Sequence, residues 1–234
     1  FDPSRMVAII ITIDISDLSR VSKDLMPQQT MMELLIENFE HKSPYVDSEG
    51  FYRDISDWEG VECTEDNNVK EIDWDNGFGF DLFDDNYTPC KNSRSGGSID
   101  LQWLPPTLES LSITEMKLDG TVDTAALPQS LNSVDIDGNC FVGEFLTKGL
   151  PRTLMYLFMS DNAFEGSFNL STLPPKLSIL QTLDNNFSGE LSFDALPVTI
   201  RIIRLSRNRF SGSISLLNLP KSLRILRLEG NCLS

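Results

Sequence analysis

The feature that most constrains this chain is a 23-residue period that fills its second half. The dipeptide Leu-Pro recurs at this spacing without losing phase. Its six copies are Leu104-Pro105, Leu127-Pro128, Leu150-Pro151, Leu173-Pro174, Leu196-Pro197 and Leu219-Pro220. A fixed period of about 20 to 50 residues is typical of a solenoid, because one repeat cannot bury its apolar face alone and must stack on the next. The sequence therefore predicts a mainly β repeat solenoid.

Each copy carries the same pattern after its Leu-Pro. The fifth copy reads Ile200-x-x-Ile203-x-Leu205-x-x-Asn208-x-Phe210-x-Gly212. The alternation of apolar and other residues predicts a short strand of a parallel sheet in every copy. We expect these strands near 70–74, 110–114, 133–137, 156–160, 179–183, 202–206 and 225–229. Alternation resumes at 190–193 and 213–216, which predicts a second short strand on another side of the coil.

Three columns of in-phase residues follow each predicted strand. The first is Asn139, Asn162, Asn185, Asn208 and Asn231, and we expect these amides to bond the backbone at the turn. The second is an apolar spine of Leu118, Phe141, Phe164, Phe187, Phe210 and Leu233. The third is Gly120, Gly143, Gly166, Gly189 and Gly212, where the chain must turn sharply.

This pattern resembles the leucine-rich repeat, LxxLxLxxNxL, in the variant that continues F-S-G-x-[IL]. Residues 187–191 and 210–214 match that continuation. The copies resemble plant-type extracellular repeats, and their constant length with Leu-Pro resembles repeat proteins of protists. The resemblance covers residues 97–234. It implies a right-handed curved coil with a parallel concave sheet and short second strands.

A second resemblance lies upstream, where residues 58–63 resemble the W-x-G-V-x-C segment of the N-terminal cap in plant-type ectodomains. It implies a helical cap followed by a first strand at 69–74. The plant cap has a paired cysteine just before the Trp, and none stands here. Residues 27–40 place Met31, Leu34, Leu35 and Phe39 at helical spacing, which predicts a cap helix over the first coil.

We therefore divide the chain into three parts. Residues 1–68 form the cap, with a helix at about 27–40. Residues 69–96 hold the first cap strand and an inserted acidic loop, and 97–234 hold six repeats that we expect to continue beyond Ser234. The apolar run at 6–13 is too short to span a bilayer, which takes about 20 residues. It is either a strand or packed tail, or the end of a removed targeting segment.

Charge is concentrated in the cap. Residues 1–100 hold 22 acidic and 8 basic side chains, whereas 101–234 hold 13 and 11. Phosphate binding needs clustered Lys and Arg, so nucleic acid is excluded as a partner.

The four cysteines and three glycosylation sequons bear on the location of the protein. Cys140 and Cys232 are four coils apart, about 19 Å at ~4.8 Å per strand, beyond the ~7 Å limit for a disulfide, so we expect free core thiols. Cys63 and Cys90 can pair, which would imply an oxidising compartment. Sequons begin at Asn86, Asn169 and Asn186. A secreted or cell-surface location follows, mostly from the cap resemblance, and a cytoplasmic location stays open.

No pattern predicts catalysis. The single histidine, His41, follows the predicted cap helix, and no nucleophile elbow, phosphate loop or zinc spacing is present. The acidic residues of the insertion do not have the spacing of a calcium loop. We therefore predict no enzyme activity, no cofactor and no metal.

Outward strand positions form columns on the predicted concave face, and copies three to six place apolar residues there. The predicted binding residues are Tyr156, Phe158, Ile179, Gln181, Leu183, Ile202, Arg204, Ile225 and Arg227. Acidic Asp73, Asp135 and Asp137 flank the area on one side, and basic Arg204, Arg207 and Arg227 on the other. An apolar surface with aromatic and arginine anchors predicts a protein or peptide partner. Two alternatives stay open: a structural spacer or surface-coat element, and self-association through this patch or the uncapped C-terminal end.

Overall fold

The computed structural model describes residues 23–74 and 96–234, apart from the side chain of Asp24. They form a mainly β solenoid of six coils with two strands in most coils. The strands are β1 (Val61–Cys63), β2 (Val69–Asp73), β3 (Gly97–Ser98), β4 (Ser110–Ser112), β5 (Leu118–Gly120), β6 (Ser133–Asp135), β7 (Cys140–Glu144), β8 (Tyr156–Phe158), β9 (Ala163–Ser167), β10 (Ile179–Gln181), β11 (Asn186–Glu190), β12 (Ile202–Arg204), β13 (Arg209–Gly212), β14 (Ile225–Arg227) and β15 (Cys232–Leu233).

The strands form two sheets that run the length of the solenoid. The first has eight strands in the order β1-β2-β4-β6-β8-β10-β12-β14 and corresponds to the predicted concave sheet. It is parallel from β2 onward, and residues one period apart are paired, as Ile179 is with Ile202. The second has seven strands in the order β15-β13-β11-β9-β7-β5-β3. The predicted positions of the first strands are confirmed, although each ends at least one residue early.

The second strands lie earlier in each copy than predicted. We expected them at 190–193 and 213–216, but β11 ends at Glu190 and β13 at Gly212. The aromatic spine residues belong to these strands, because their backbones pair with the neighbouring coil. The glycines of the third column also lie within the second strands. Each has a positive φ, +84° at Gly143 for example, a conformation that Gly adopts at little cost.

The asparagine column bonds each coil to the one before it. Asn185 shows the pattern: its Nδ2 donates to the Met159 carbonyl of the preceding coil at 2.8 Å and to the Leu183 carbonyl at 3.1 Å. Its Oδ1 accepts from the Phe164 N–H at 3.0 Å. The same arrangement recurs at Asn139, Asn162, Asn208 and Asn231. The predicted ladder is confirmed, and its bonds connect adjacent coils.

The aromatic spine forms a continuous stack inside the solenoid. Phe141, Phe164, Phe187 and Phe210 are fully buried. Successive ring centroids lie 6.0, 6.1 and 6.3 Å apart, and the rings are within 11° of parallel. This offset stacking follows from the in-register coils and stabilises each ring against its two neighbours.

A hydroxyl column also connects the coils, and the sequence analysis missed it. Thr199 Oγ1 donates to the Pro175 and Leu177 carbonyls of the preceding coil at 3.0 and 2.8 Å. Thr153, Ser130 and Thr107 bond the coil before them in the same way. The fourth copy places Lys176 in this phase. The signal in the sequence is a Ser or Thr two residues after most Leu-Pro pairs.

The W-x-G-V-x-C segment has a clear physical basis in the cap. Trp58 is buried, and its indole N–H donates to the Arg53 carbonyl at 3.0 Å. Gly60 has φ +79°, and a Cβ there would lie 2.1 Å from the Asp73 carbonyl oxygen. Only glycine therefore lets β1 pair antiparallel with β2 at this point.

The cap helix α1 spans Gln28–Leu35 and is shorter than the predicted 27–40. Met31, Met32 and Leu35 are buried on its inner side. Beyond the helix the chain turns, and Phe39 forms a bridge with Gly97. The Phe39 ring packs against Trp74 at a centroid distance of 5.8 Å. Phe39 therefore lies beyond the end of the helix, where its ring contacts Trp74.

The described cysteines Cys63, Cys140 and Cys232 are free thiols. Within the described residues Cys63 has no disulfide partner, and its pairing with Cys90, which lies outside them, stays a prediction. Cys140 and Cys232 are exposed, so the prediction of core thiols is wrong. Each precedes a spine residue in an extended strand, fully buried Phe141 and half-buried Leu233, and alternate side chains of a strand point to opposite faces.

Several predictions concern residues outside the described ranges. They are the apolar run at 6–13, the acidic insertion with Cys90, and the sequon at Asn86.

We expect Asn185→Ala to lower the free energy of unfolding clearly more than Asn186→Ala. Asn185 is buried and its loss leaves backbone groups without partners, at a cost of ~1–3 kcal/mol per group. The adjacent Asn186 is half-buried in β11 and is a matched control. Urea denaturation of both variants measures the difference, and equal midpoints would contradict the role of the ladder.

We expect Lys176→Thr to stabilise the solenoid by ~0.5–1.5 kcal/mol, the net contribution of one hydrogen bond. The new hydroxyl can donate to the Arg152 and Leu154 carbonyls, as Thr199 does one coil later. Lys176→Ala removes the lysine without adding a donor and is the control. The hydroxyl column would be of no importance if both variants unfolded at the same urea concentration.

Candidate functional site

The predicted binding residues lie together on the outer side of the eight-stranded sheet. Strands β8, β10, β12 and β14 pair in register, so each outward column is continuous across four coils. One column is Tyr156, Ile179, Ile202 and Ile225, and the next is Phe158, Gln181, Arg204 and Arg227. Leu183 is half-buried just beyond the end of β10.

An apolar cluster separate from the main core lies within these columns. It consists of Phe158, Ile179 and Ile202, with Ile225 packed against it. The main core lies on the opposite side of the sheet and contains Leu157, which alternates with the cluster residues along β8. The sheet thus carries apolar packing on both faces, as is common in parallel sheets.

The expectation that this apolar area faces solvent is wrong for its centre. Phe158, Ile179 and Ile202 are each 8% exposed, and Gln181 and Arg204 are 3% exposed. Because residues of one column are in register, each side chain packs against its neighbour about 4.8 Å away. Tyr156 lies at the edge of the cluster and is 37% exposed. Ile225 and Arg227 are half-buried.

A polar pair borders the cluster. Arg204 Nη1 donates to Gln181 Oε1 at 2.6 Å, and both side chains are buried. A charge-assisted bond of this kind is stronger than one between neutral groups. The pair fixes Arg204 in the column, so the arginine does not extend freely from the surface.

A row of left-handed residues follows the strands of this sheet, one in each coil. The row is Glu115, Gly138, Asp161, Asp184, Arg207 and Gly230, with φ between 49° and 74°. Arg207 forms a two-point ion pair with Asp184, through Nε–Oδ1 at 2.6 Å and Nη2–Oδ2 at 2.5 Å. Arg207, one of the three arginines of the predicted basic flank, is therefore paired with a carboxylate of the preceding coil.

Two carboxyl groups near this row are unusually easy to protonate. Burial raises the pKa of Asp161 to about 6, and the charge of Asp184 adds to the effect. Burial also raises the pKa of Asp137 well above its ordinary value, with a further contribution from Asp135. The Ser160 N–H donates to Asp137 Oδ1 and partly offsets this shift. Asp161 thus changes charge in mildly acidic solution.

The cap contains a cleft of about 530 Å³ between α1, residues 52–55 and residues 67–68. Its amides have structural roles: Gln28 Oε1 accepts from the Val69 N–H at 2.7 Å, and Gln29 Oε1 accepts from the Ile55 N–H at 2.9 Å. Burial, with nearby Glu37, raises the pKa of Tyr52 to about 12, so its phenol stays neutral. These hydrogen bonds join α1 to Ile55 and to Val69 at the start of β2.

The described residues hold neither a metal-binding group nor a buried histidine. His41 is exposed. Within 23–74 and 96–234, no three His, Cys, Asp or Glu side chains are grouped so that they could hold a metal ion. In the same part of the chain, no helix is long and apolar enough to cross a bilayer.

The same architecture occurs in solved receptor structures. The PEPR1–AtPEP1 crystal structure superposes with a TM-score of 0.69 at 20% identity, over 88% of this chain and 28% of that one. The Arabidopsis receptor kinase HAESA ectodomain, with an IDA peptide hormone, gives 0.65 at 22% identity over 88% and 33%. Pollen Receptor Kinase 3 gives 0.55 at 22% identity over 76% and 81%. The chain has the leucine-rich repeat fold.

These similarities establish the fold of the solenoid. This leucine-rich repeat chain spans about a third or less of the length of the first two receptors. No family model matches the sequence. No curated protein matches it either.

We expect the free energy of unfolding to fall as pH rises from about 4 to about 6. Because the pKa of Asp161 is higher in the folded chain than the ordinary 3.8, folding favours its protonated form, and that contribution is lost as pH passes the folded pKa. Asp161→Asn should therefore stabilise the protein at pH 7.5 and have little effect at pH 4. Asn also tolerates the left-handed backbone at this position.

Urea denaturation at the two pH values checks this expectation. Glu165→Gln, a change at an exposed carboxyl in β9, is the control. An Asp161→Asn variant with the same stability gain at both pH values would show that charge is not the cause.

Proposed function

We propose that the chain is an extracellular recognition module that binds a protein or peptide on its concave sheet. The observation that carries this proposal is the apolar cluster of Phe158, Ile179, Ile202 and Ile225, which lies on the outer side of the sheet and apart from the core. The cluster is buried at its centre and edged by the exposed Tyr156, so it can form the base of an interaction site. A spacer whose repeats only set length would have bland polar residues in these columns.

The proposed contact surface covers copies three to six. It includes Tyr156, Phe158, Ile179, Gln181, Leu183, Ile202, Arg204, Ile225 and Arg227. The buried members form a preorganised base, which lowers the entropic cost of binding because they are already held in place. The accessible rim, with Tyr156 and Arg227, makes the direct contacts. Tyrosine and arginine are the residue types that most often dominate binding energy.

The likeness to receptor ectodomains favours a peptide as the ligand class. The HAESA ectodomain was solved with a peptide hormone ligand. An extended peptide can follow the columns across several coils, with its ends near the acidic flank at Asp135 and the basic flank at Arg227. Opposed charges at the two ends would give the peptide a preferred direction. An extracellular location agrees with the likeness to these ectodomains. It also agrees with residues 58–63, which resemble the cap segment of plant-type ectodomains.

The test is selection of a displayed random peptide library on the immobilised full chain. We expect enriched peptides whose affinity drops more than ~30-fold on Tyr156→Ala, the factor that corresponds to ~2 kcal/mol for an anchor residue. Arg227→Ala should also weaken binding, and rising salt should slow association. Phe158→Ala is less specific, because Phe158 is buried and its truncation also leaves a cavity.

Val142→Ala is the matched control, because Val142 is 46% exposed on the second sheet. Peptides that bind the Tyr156→Ala protein as well as the parent, but lose affinity for Val142→Ala, would place binding on the other face. A selection that enriches no peptide would favour the spacer role.

A further inference from the structure

We propose that Asn169 is the acceptor of an N-linked glycan, whereas the sequon at Asn186 is not used. Asn169 is exposed at the start of a short 3-10 turn, Leu170–Thr172. Its Oδ1 accepts from the Ser171 N–H at 2.9 Å and from Ser171 Oγ at 2.7 Å. The Asn and hydroxyl residues of the sequon are thus brought into contact by the turn itself.

This contact leaves the acceptor nitrogen accessible. Among the described residues, Asn169 Nδ2 has no hydrogen-bond partner, whereas its Oδ1 is doubly bonded to Ser171. The Asn169 carbonyl accepts from Thr147 Oγ1 at 2.7 Å, which holds the turn against the preceding coil. Side-chain turns of this type form within a few residues, so the geometry does not require the finished solenoid.

The sequon at Asn186 has a different geometry. Asn186 lies in β11, and the next residue, Phe187, is fully buried in the spine. Residues two apart in a strand are separated by about 6.6 Å, and no hydrogen bond joins the Ser188 hydroxyl to the Asn186 amide. Ser188 Oγ instead donates to the Gly166 carbonyl at 3.4 Å. The sequon at Asn186 therefore lacks the contact that Asn169 makes.

The reaction transfers a sugar chain from a lipid-pyrophosphate-linked oligosaccharide, the donor available in the secretory pathway. Asn169 Nδ2 forms a bond to C1 of the first sugar and loses one proton. The C1–oxygen bond to the lipid pyrophosphate breaks, and the leaving group takes the electron pair. No oxidation or reduction is involved.

The position of Asn169 suits a permanent modification. The turn follows β9 of the second sheet and is separate in the chain from the strands that carry the proposed binding surface. One period earlier is Leu146, which is 60% exposed and precedes a turn without a side-chain cap. Asp100 and Asp123 occupy the same phase in earlier copies and cap their turns. A glycan on Asn169 would cover this exposed leucine, which lies about one strand spacing away.

The test is expression of the full chain behind a cleavable secretion signal in a eukaryotic host. An Asn86→Gln background removes the sequon outside the described residues. Peptide mass spectrometry, with and without enzymatic glycan removal, measures occupancy at each site. We expect a glycan at Asn169 that is lost in Ser171→Ala and kept in Ser171→Thr, which restores the hydroxyl. Asn186→Gln is the control and should keep it.

An unmodified Asn169 in the secreted protein would overturn the inference, as would equal or greater occupancy at Asn186. Occupancy that survives Ser171→Ala would show that the Ser171 contact is not required. The inference rests on the extracellular location proposed above, but the imposed secretion signal separates the two ideas. Tyr156→Ala should keep the glycan whether or not it loses peptide binding, so the site and the binding surface can fail independently.

Discussion

The solenoid depends on one asparagine amide in each of copies two to six, which bonds the backbone of the coil before it. Inside a turn with little access to water, unpaired peptide groups are costly, and each amide provides both a donor and an acceptor. Asn208 illustrates this, since its Nδ2 reaches the Thr182 carbonyl at 2.7 Å and its Oδ1 receives the Phe187 N–H at 3.1 Å. An inserted residue would displace one amide from its partners, which explains why six copies keep one length.

The same register produces the apolar cluster on the outer face of the sheet. Once the asparagines and the phenylalanine stack align neighbouring coils, the outward residues are also aligned. An outward isoleucine such as Ile179 then meets Ile202 of the next coil. The interior columns are constrained by packing, whereas the outward columns vary from copy to copy. In the proposed function, the outward residues of copies three to six provide specificity, whereas the inward residues that all copies share stabilise the fold.

Charged residues in the turns after the strands border this surface. The turn after each strand requires a left-handed residue, and this chain fills the position with Asp161, Asp184 and Arg207 in successive coils. Stacking places these charges side by side, so Asp184 can pair with Arg207 while Asp161 faces a neighbouring carboxylate. Burial raises the pKa of Asp161, and the charge of Asp184, which stacking brings alongside from 23 residues away in sequence, raises it further.

The sequence by itself determined the period, the strand positions, the asparagine ladder and the aromatic spine, because each is a local pattern repeated in phase. It also identified the residues of the outward columns from simple alternation. Their burial, the Gln181–Arg204 bond and the exposure of Cys140 were decided only by the tertiary structure. These properties depend on which side chains the next coil brings alongside, and on where the second strand begins. Alternation tells which way a side chain points, whereas its exposure to water depends on what packs over it.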